Sequence, residues 1–288
     1  MKFCRFDDER YGVVVGDKIH DITAVVEKVL AGKKAPRWGD PMITHLDEVR
    51  KAVGDAAQYP SKPVKSVTLL SPTARPSKLI AAPTNYHAHV AEMEARRPGQ
   101  PKGKGIAESG LFLKANSAMA GCGEGVHLRF LDKLTEHELE FMIVIGKECS
   151  QVSEAEALDY VAGYCLSLDM TVRGGEERSI RKSIDSYAVI GPWLATKDEI
   201  KDPNNVAFKL FVNGEMRHNA HTSDLIFNCQ KLISLASEFY TLYPGDVIFT
   251  GAPAGVGPVK PGDVMIGECD VLGPLEVKCY AYKNPRHA

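Results

Sequence analysis

Between Thr135 and Lys147 apolar residues take every second position, at Leu139, Phe141, Ile143 and Ile145. Successive side chains of a strand point to opposite faces, so this run predicts a strand with those four residues on one side and Glu138 and Glu140 together on the other. Further β-forming runs lie at 78–82, 111–114, 164–168, 207–212, 247–250 and 275–282, and the runs 2–6 and 11–15 flank an acidic turn as a hairpin. Helical patterns are fewer. Residues 24–30 and 43–53 each run into a glycine, Gly32 or Gly54, that would end a helix. Ser153 and Glu156 form a capping box ahead of Ala157, Leu158 and Val161, and Leu225, Cys229, Leu232, Ile233 and Ala236 make an apolar helical stripe. Asn213-Gly214 and Pro244-Gly245-Asp246 are turns. Four prolines between residues 60 and 77 mark a connector, which divides a small N-terminal α+β domain, residues 1–75, from a larger body, residues 76–288. Strands outnumber helices without regular alternation, which argues against a doubly wound sheet or a TIM barrel, and a mixed α+β, β-rich fold is expected.

Composition narrows the partners rather than the fold. In 288 residues, 35 Lys and Arg face 37 Asp and Glu, a formal net charge of −2 with no basic stretch fit for nucleic acid. No window approaches 18 uninterrupted apolar residues, so no membrane association is expected. Seven cysteines, an odd number without CxxC spacing, suit a reducing compartment, and the opening MKFCRFDDER carries acids where a signal peptide has an apolar core. A cytoplasmic location is expected.

Candidate chemistry begins with Glu138 and Glu140. Two carboxylates side by side repel unless a cation or proton sits between them, and hard oxygen ligands favour Mg²⁺, Mn²⁺ or Ca²⁺. The polar face of an exposed edge strand would read the same way. Asp169 stands at the exit of the apolar run 164–168, a place where sites are built and where turns also start. In Asn85-Tyr86-His87-Ala88-His89-Val90-Ala91-Glu92, His89 and Glu92 are three apart and share a helix face, so a carboxylate can orient an imidazole as a base, or the two form a solvated pair. Residues 94–110, rich in Gly, Pro and basic side chains, read as a lid or a plain excursion. The run Thr250-Gly251-Ala252-Pro253-Ala254-Gly255-Val256-Gly257 lacks the P-loop Lys and the dinucleotide spacing, which leaves a tight turn or a backbone wall beside a small substrate. Trp38 and Trp193 are expected to pack.

The ordered series NYHAHVAE, FLK, EHELEFMIVIGK, GYCLSLDMTVRG, RKSIDSYAVIGPW, LFVNGEMRH, TLYPGDVIFTGAPAGVG and KPGDV, spread over about residues 78–285, resembles the fumarylacetoacetate hydrolase family of acylpyruvases, hydratases, isomerases and decarboxylases. The resemblance implies the family's mixed β-sandwich roll, usually a homodimer, and a divalent metal, Mg²⁺ or Mn²⁺ with Ca²⁺ as a further option. It places Glu138, Glu140 and Asp169 as metal ligands and His89 and Glu92 as the water-activating pair. Lys182 falls on a catalytic lysine that contacts substrate oxygen. Arg173 falls on an arginine near the substrate carboxylate, and Tyr86, Lys114 and Thr250 on further substrate contacts. The implied substrate is a small anionic 2-oxo acid that chelates the metal. The implied reaction is hydrolysis of a C–C bond in an acylpyruvate through a metal-bound enolate, as in the breakdown of aromatic or sugar-derived acids. An isomerase or oxaloacetate decarboxylase on the same scaffold is the alternative, and a non-catalytic module with a structural cation is a third reading. Where many members read TGTP this chain has Thr250-Gly251-Ala252-Pro253, and it reaches Lys182 only nine residues after Arg173, so the substrate's distal group stays open.

Overall fold

The computed structural model describes residues 1–96 and 105–283. Among these, the strand Leu139–Ile145 forms as expected and lies inside a twelve-stranded sheet, buried along its whole length. Its neighbours are Val161–Asp169 on one side and Val247–Phe249 on the other. Beyond Val161–Asp169 come Ala188–Thr196, Lys2–Phe6, Arg10–Val15, Lys18–Asp21 and Ser61–Pro63; beyond Val247–Phe249 come Leu79–Ala81 and Phe112–Lys114.

Both faces of this sheet are covered, which is why the strand reads EFMIVIG rather than apolar–polar. Phe141, Ile143 and Ile145 share a core with Phe208, Leu210, Leu275 and Val277 of a five-stranded sheet and with Leu232, Ile233 and Ala236 of the helix Cys229–Phe239. On the opposite face Met142 and Val144 belong to a second core with Phe3, Ile22, Val26, Ile43 and Val49. Each such side chain contributes about 1.5–3 kcal/mol on burial, so the two cores clamp the middle strand from both sides. Glu138 and Glu140 are therefore not the polar face of an edge strand: they are 5 % and 1 % exposed.

The N-terminal hairpin continues the body's sheet. Lys2 pairs with Ala195 and Phe3 with Leu194, so the chain on either side of residue 75 shares one sheet and one core. Other local expectations meet tertiary limits. Ser153 does donate to Glu156 at 2.6 Å, but only a 3₁₀ turn, Ala157–Tyr160, comes after it. Leu225 precedes its helix, which starts after Asn228, whose side chain accepts from the Lys231 amide at 2.9 Å. The pattern 43–53 splits into Pro41–Thr44 and Leu46–Val53, with Gly54 ending the second at φ 57°. Asn213 and Gly214, at φ 52° and 82°, make the hairpin turn between Ala207–Val212 and Glu215–His221. Of the 94–110 segment that reads as a lid, residues 97–104 lie outside the described residues. No described helix is long and apolar enough to cross a membrane.

Candidate active site

Strand register assembles the acidic cluster. The Asp169 amide donates to the Glu138 carbonyl at 2.8 Å, extending the ladder between the two central strands and setting Asp169 beside Glu138. Two residues along, Glu140 points to the same face. Carboxylate oxygens of Glu138, Glu140 and Asp169 all lie within 4.8 Å of one another. Three buried carboxylates at that distance need positive charge.

Two lysines supply part of it. Lys182, on the short helix Arg178–Lys182, donates to Glu138 Oε2 at 2.5 Å and Asp169 Oδ2 at 2.6 Å. Lys114, on the strand Phe112–Lys114, donates to Asp169 Oδ1 and, at 2.8 Å, to the Tyr187 carbonyl. Arg173 and Arg96 add two cations to the two ammonium groups, but they also serve Glu136 and Glu92, so five acids face four cations, and the three central carboxylates respond differently. Burial pushes Glu138 up, but Lys182 and Arg173 outweigh it and hold its carboxyl at about 2. Glu140 is pushed well above the usual range by burial and then by Asp169, with Lys182 and the Gly251 amide opposing. That amide donates to Glu140 Oε2 at 2.6 Å.

The imidazole–carboxylate pair sits on the helix His87–Ala95, where the three-residue spacing brings His89 Nδ1 within 2.9 Å of Glu92 Oε2. Because a carboxylate accepts, His89 donates from Nδ1 and presents Nε2 as a bare base. Burial raises Glu92, but the His89 hydrogen bond and Arg96 bring its carboxyl below the ordinary value. An ion-pair bridge joins this pair to the acidic cluster. Arg96 donates to Glu92 at 3.1 Å and to Glu136 at 2.9 Å; Arg173 donates to the other oxygen of Glu136 at 2.5 Å and to Glu138 at 3.0 Å.

Of the residues singled out from sequence, His89, Glu92, Glu138, Glu140, Asp169, Arg173, Lys114 and Lys182 are thus drawn into one network. The other two are placed differently. The Thr250 hydroxyl is fully buried and donates to the Phe141 carbonyl at 2.8 Å, which fastens the glycine-rich loop to the central strand. The Tyr86 hydroxyl is buried without a hydrogen-bond partner, and burial raises its pKa. Sequence reasoning passed over Arg96, Glu136 and Asn85. Asn85 donates to the carbonyls of Phe227 and Thr250, each at 2.8 Å, and accepts from the Phe227 amide at 2.7 Å, tying the start of the His89 helix to the glycine-rich loop. Only its place inside NYHAHVAE hinted at this.

Residues 78–279 match the family described as fumarylacetoacetate (FAA) hydrolase, C-terminal. The chain belongs to the fumarylacetoacetate hydrolase family. It is 49 % identical to a maleylpyruvate hydrolase of Aquipseudomonas alcaligenes over 96 % of this chain and 98 % of that one. A crystal structure of maleylpyruvate hydrolase from Sphingobium sp. SYK-6, in complex with manganese(II) ion and pyruvate, superposes with a TM-score of 0.82 at 36 % identity, covering 98 % of this chain and 100 % of the other. A mitochondrial oxaloacetate tautomerase of Rattus norvegicus is 35 % identical over 81 % of this chain and 75 % of its own length. The family's members therefore differ in chemistry. The donor set fits a divalent cation on its own terms: three hard carboxylates converge in a buried place that carries unmatched negative charge.

Proposed function

We propose that this chain is a divalent-metal-dependent hydrolase that cleaves a C–C bond in an acylpyruvate of the maleylpyruvate type. The observation that carries the reading is the bridge Glu92–Arg96–Glu136–Arg173–Glu138, which fixes a base beside a cation-binding carboxylate set. Glu138, Glu140 and Asp169 would hold Mg²⁺ or Mn²⁺. When bound, the cation polarises the carboxylate and keto oxygens of a 2-oxo acid. His89 Nε2 takes the proton from water, and Glu92 stabilises the imidazolium that results. The oxygen of that water bonds to the carbonyl carbon distal to the 2-oxo acid. The C–C bond breaks, its electron pair passes to the methylene carbon of the pyruvate half, and that methylene carbon takes the proton held on His89, which releases pyruvate and a second acid and restores the base. Lys182 and Arg173, cations at the edge of the acidic set, orient the anionic substrate.

The test is pyruvate release from a panel of acylpyruvates with Mn²⁺ and with EDTA. Glu138→Ala should lose metal and turnover together; His89→Ala should keep the metal and lose turnover. Full activity in His89→Ala would sink the base assignment. The likeness to an oxaloacetate tautomerase favours a second reading, in which the same base moves a proton on a 2-oxo dioic acid. Activity on oxaloacetate alone, seen as tautomerisation or as carbon dioxide release, would replace the hydrolase with that reading. A protein that binds Mn²⁺ and turns over nothing would be a structural cation module. We also infer a cytoplasmic homodimer: all seven cysteines are free and buried, which suits a reducing compartment, and the dimer rests on the family resemblance. Light scattering in solution checks the dimer.

A further inference from the structure

Behind the base lies a pair of histidines that the mechanism above does not use. His137, on the strand Thr135–His137, and His218, on the strand Glu215–His221, are both 0 % exposed, and their rings meet edge to face with centroids 5.1 Å apart. His218 Nδ1 is 2.7 Å from the Ala254 carbonyl oxygen, and His218 Nε2 is 3.3 Å from His137 Nδ1. A carbonyl can only accept, so His218 donates from Nδ1, and its Nε2 accepts from His137 Nδ1–H. His137 Nε2 is then a bare lone pair, a buried acceptor that stands without a partner beside Gly257.

The Ala254 carbonyl and the Gly255 amide belong to one planar peptide unit. That amide donates to Glu92 Oε1 at 3.2 Å. A rigid trans peptide gripped at its oxygen by His218 has its N–H direction fixed, and hydrogen bonds that run head to tail polarise one another. The turn needs glycine: Gly255 has φ +98°, and a Cβ there would lie 1.9 Å from the Arg217 carbonyl oxygen.

We propose that His218, held by His137, is a positioning residue for the His89–Glu92 base: it clamps the 254–255 peptide so that the Gly255 amide fixes Glu92, and Glu92 in turn fixes the His89 ring. The chain of donors runs in one direction, from His137 through His218 and the peptide to Glu92. The clamp would explain the glycine-rich loop as a ruler, since one end holds Glu140 through Gly251 and the other holds Glu92 through Gly255.

This inference rests on the base assignment made above, and its test separates the two. Asparagine reproduces the Nδ1 donor of histidine, and glutamine reproduces its Nε2 position. His218→Asn keeps the grip on Ala254 but orphans His137; His218→Gln keeps His137 satisfied and releases Ala254. Thermal stability should therefore fall more in H218N, while kcat on the acylpyruvate should fall more in H218Q, by about ten- to a hundredfold against about threefold or less for H218N, with KM little moved in both. Activity that tracks stability in rank would overturn the proposal. Ring-¹⁵N histidine spectra give a second readout: a proton on Nδ1 of His218 supports the clamp, and one on Nε2 overturns it. Should the wild-type chain turn over no acylpyruvate, the base assignment falls and the clamp is judged on the His89 Nδ1–H resonance, which H218Q should shift and H218N should keep; equal spectra would overturn it.

Discussion

Loading the metal should release a proton, and the structure says how many and from where. In the metal-free protein, Glu138, Glu140 and Asp169 together with Glu92 and Glu136 face Lys114, Lys182, Arg96 and Arg173, five acids against four cations and one charge short of balance. Glu140 is the group that takes up the deficit, because burial and the neighbouring Asp169 push its carboxyl well above the usual range. A carboxyl must ionise to ligate, so Mn²⁺ binding should expel about one proton below that raised pKa, and the Mn²⁺ affinity should rise about tenfold, or about 1.4 kcal/mol, per pH unit there. Titration calorimetry of the metal-free protein in two buffers of different ionisation enthalpy reads the proton count directly. The same shift fixes a sign for stability. A carboxyl raised on folding supports the fold at low pH and loses that support as pH rises through the folded value, so EDTA should cost more Tm at neutral than at mildly acidic pH. An enthalpy independent of buffer, with a pH-independent Mn²⁺ affinity, would refute the reasoning. Glu140→Gln should bind metal weakly and release no proton.

Glu138 has the opposite dependence: held at about 2 by Lys182 and Arg173 against burial, it contributes stability above its ordinary value of 4.5 that is lost between there and about 2, on the order of 3 kcal/mol, to be read as an acid limb that Glu138→Gln removes. Asp246 is fully buried and accepts from the amides of Ser77, Lys78 and Tyr243 and from Lys78 Nζ at 2.6, 2.8, 3.0 and 3.0 Å, so Asp246→Ala should cost about 3–5 kcal/mol in urea unfolding; a loss under about 1 kcal/mol contradicts the account. Gly255→Ala drives a methyl into the Arg217 carbonyl and should lower kcat at least about tenfold while Mn²⁺ affinity, measured by calorimetry, holds.

Short-range periodicity is the part of this protein that its sequence determined alone. Alternation at Leu139, Phe141, Ile143 and Ile145 is enough to put Glu138 and Glu140 on one face, and three-residue spacing is enough to face His89 to Glu92, because both depend only on backbone repeat. The ordered motifs added the family and its fold. Whether those glutamates met water or each other was not local information: a polar face satisfied by solvent and one satisfied by lysines have the same alternation. Only the register that sets Asp169 against Glu138, and the sheet path that brings Lys114 and Lys182 from distant segments, made the cluster buried and charged. Arg96 and Glu136 stand 40 positions apart, and His137 and His218 stand 81 apart, each ordinary in its own stretch of chain. The 60–77 connector likewise reads as a boundary because prolines interrupt local structure, yet pairing of Lys2–Phe6 with Ala188–Thr196 carries one sheet past it. Hydrogen bonds between strands are made across sequence, so these contacts came into being only when the chain closed on itself.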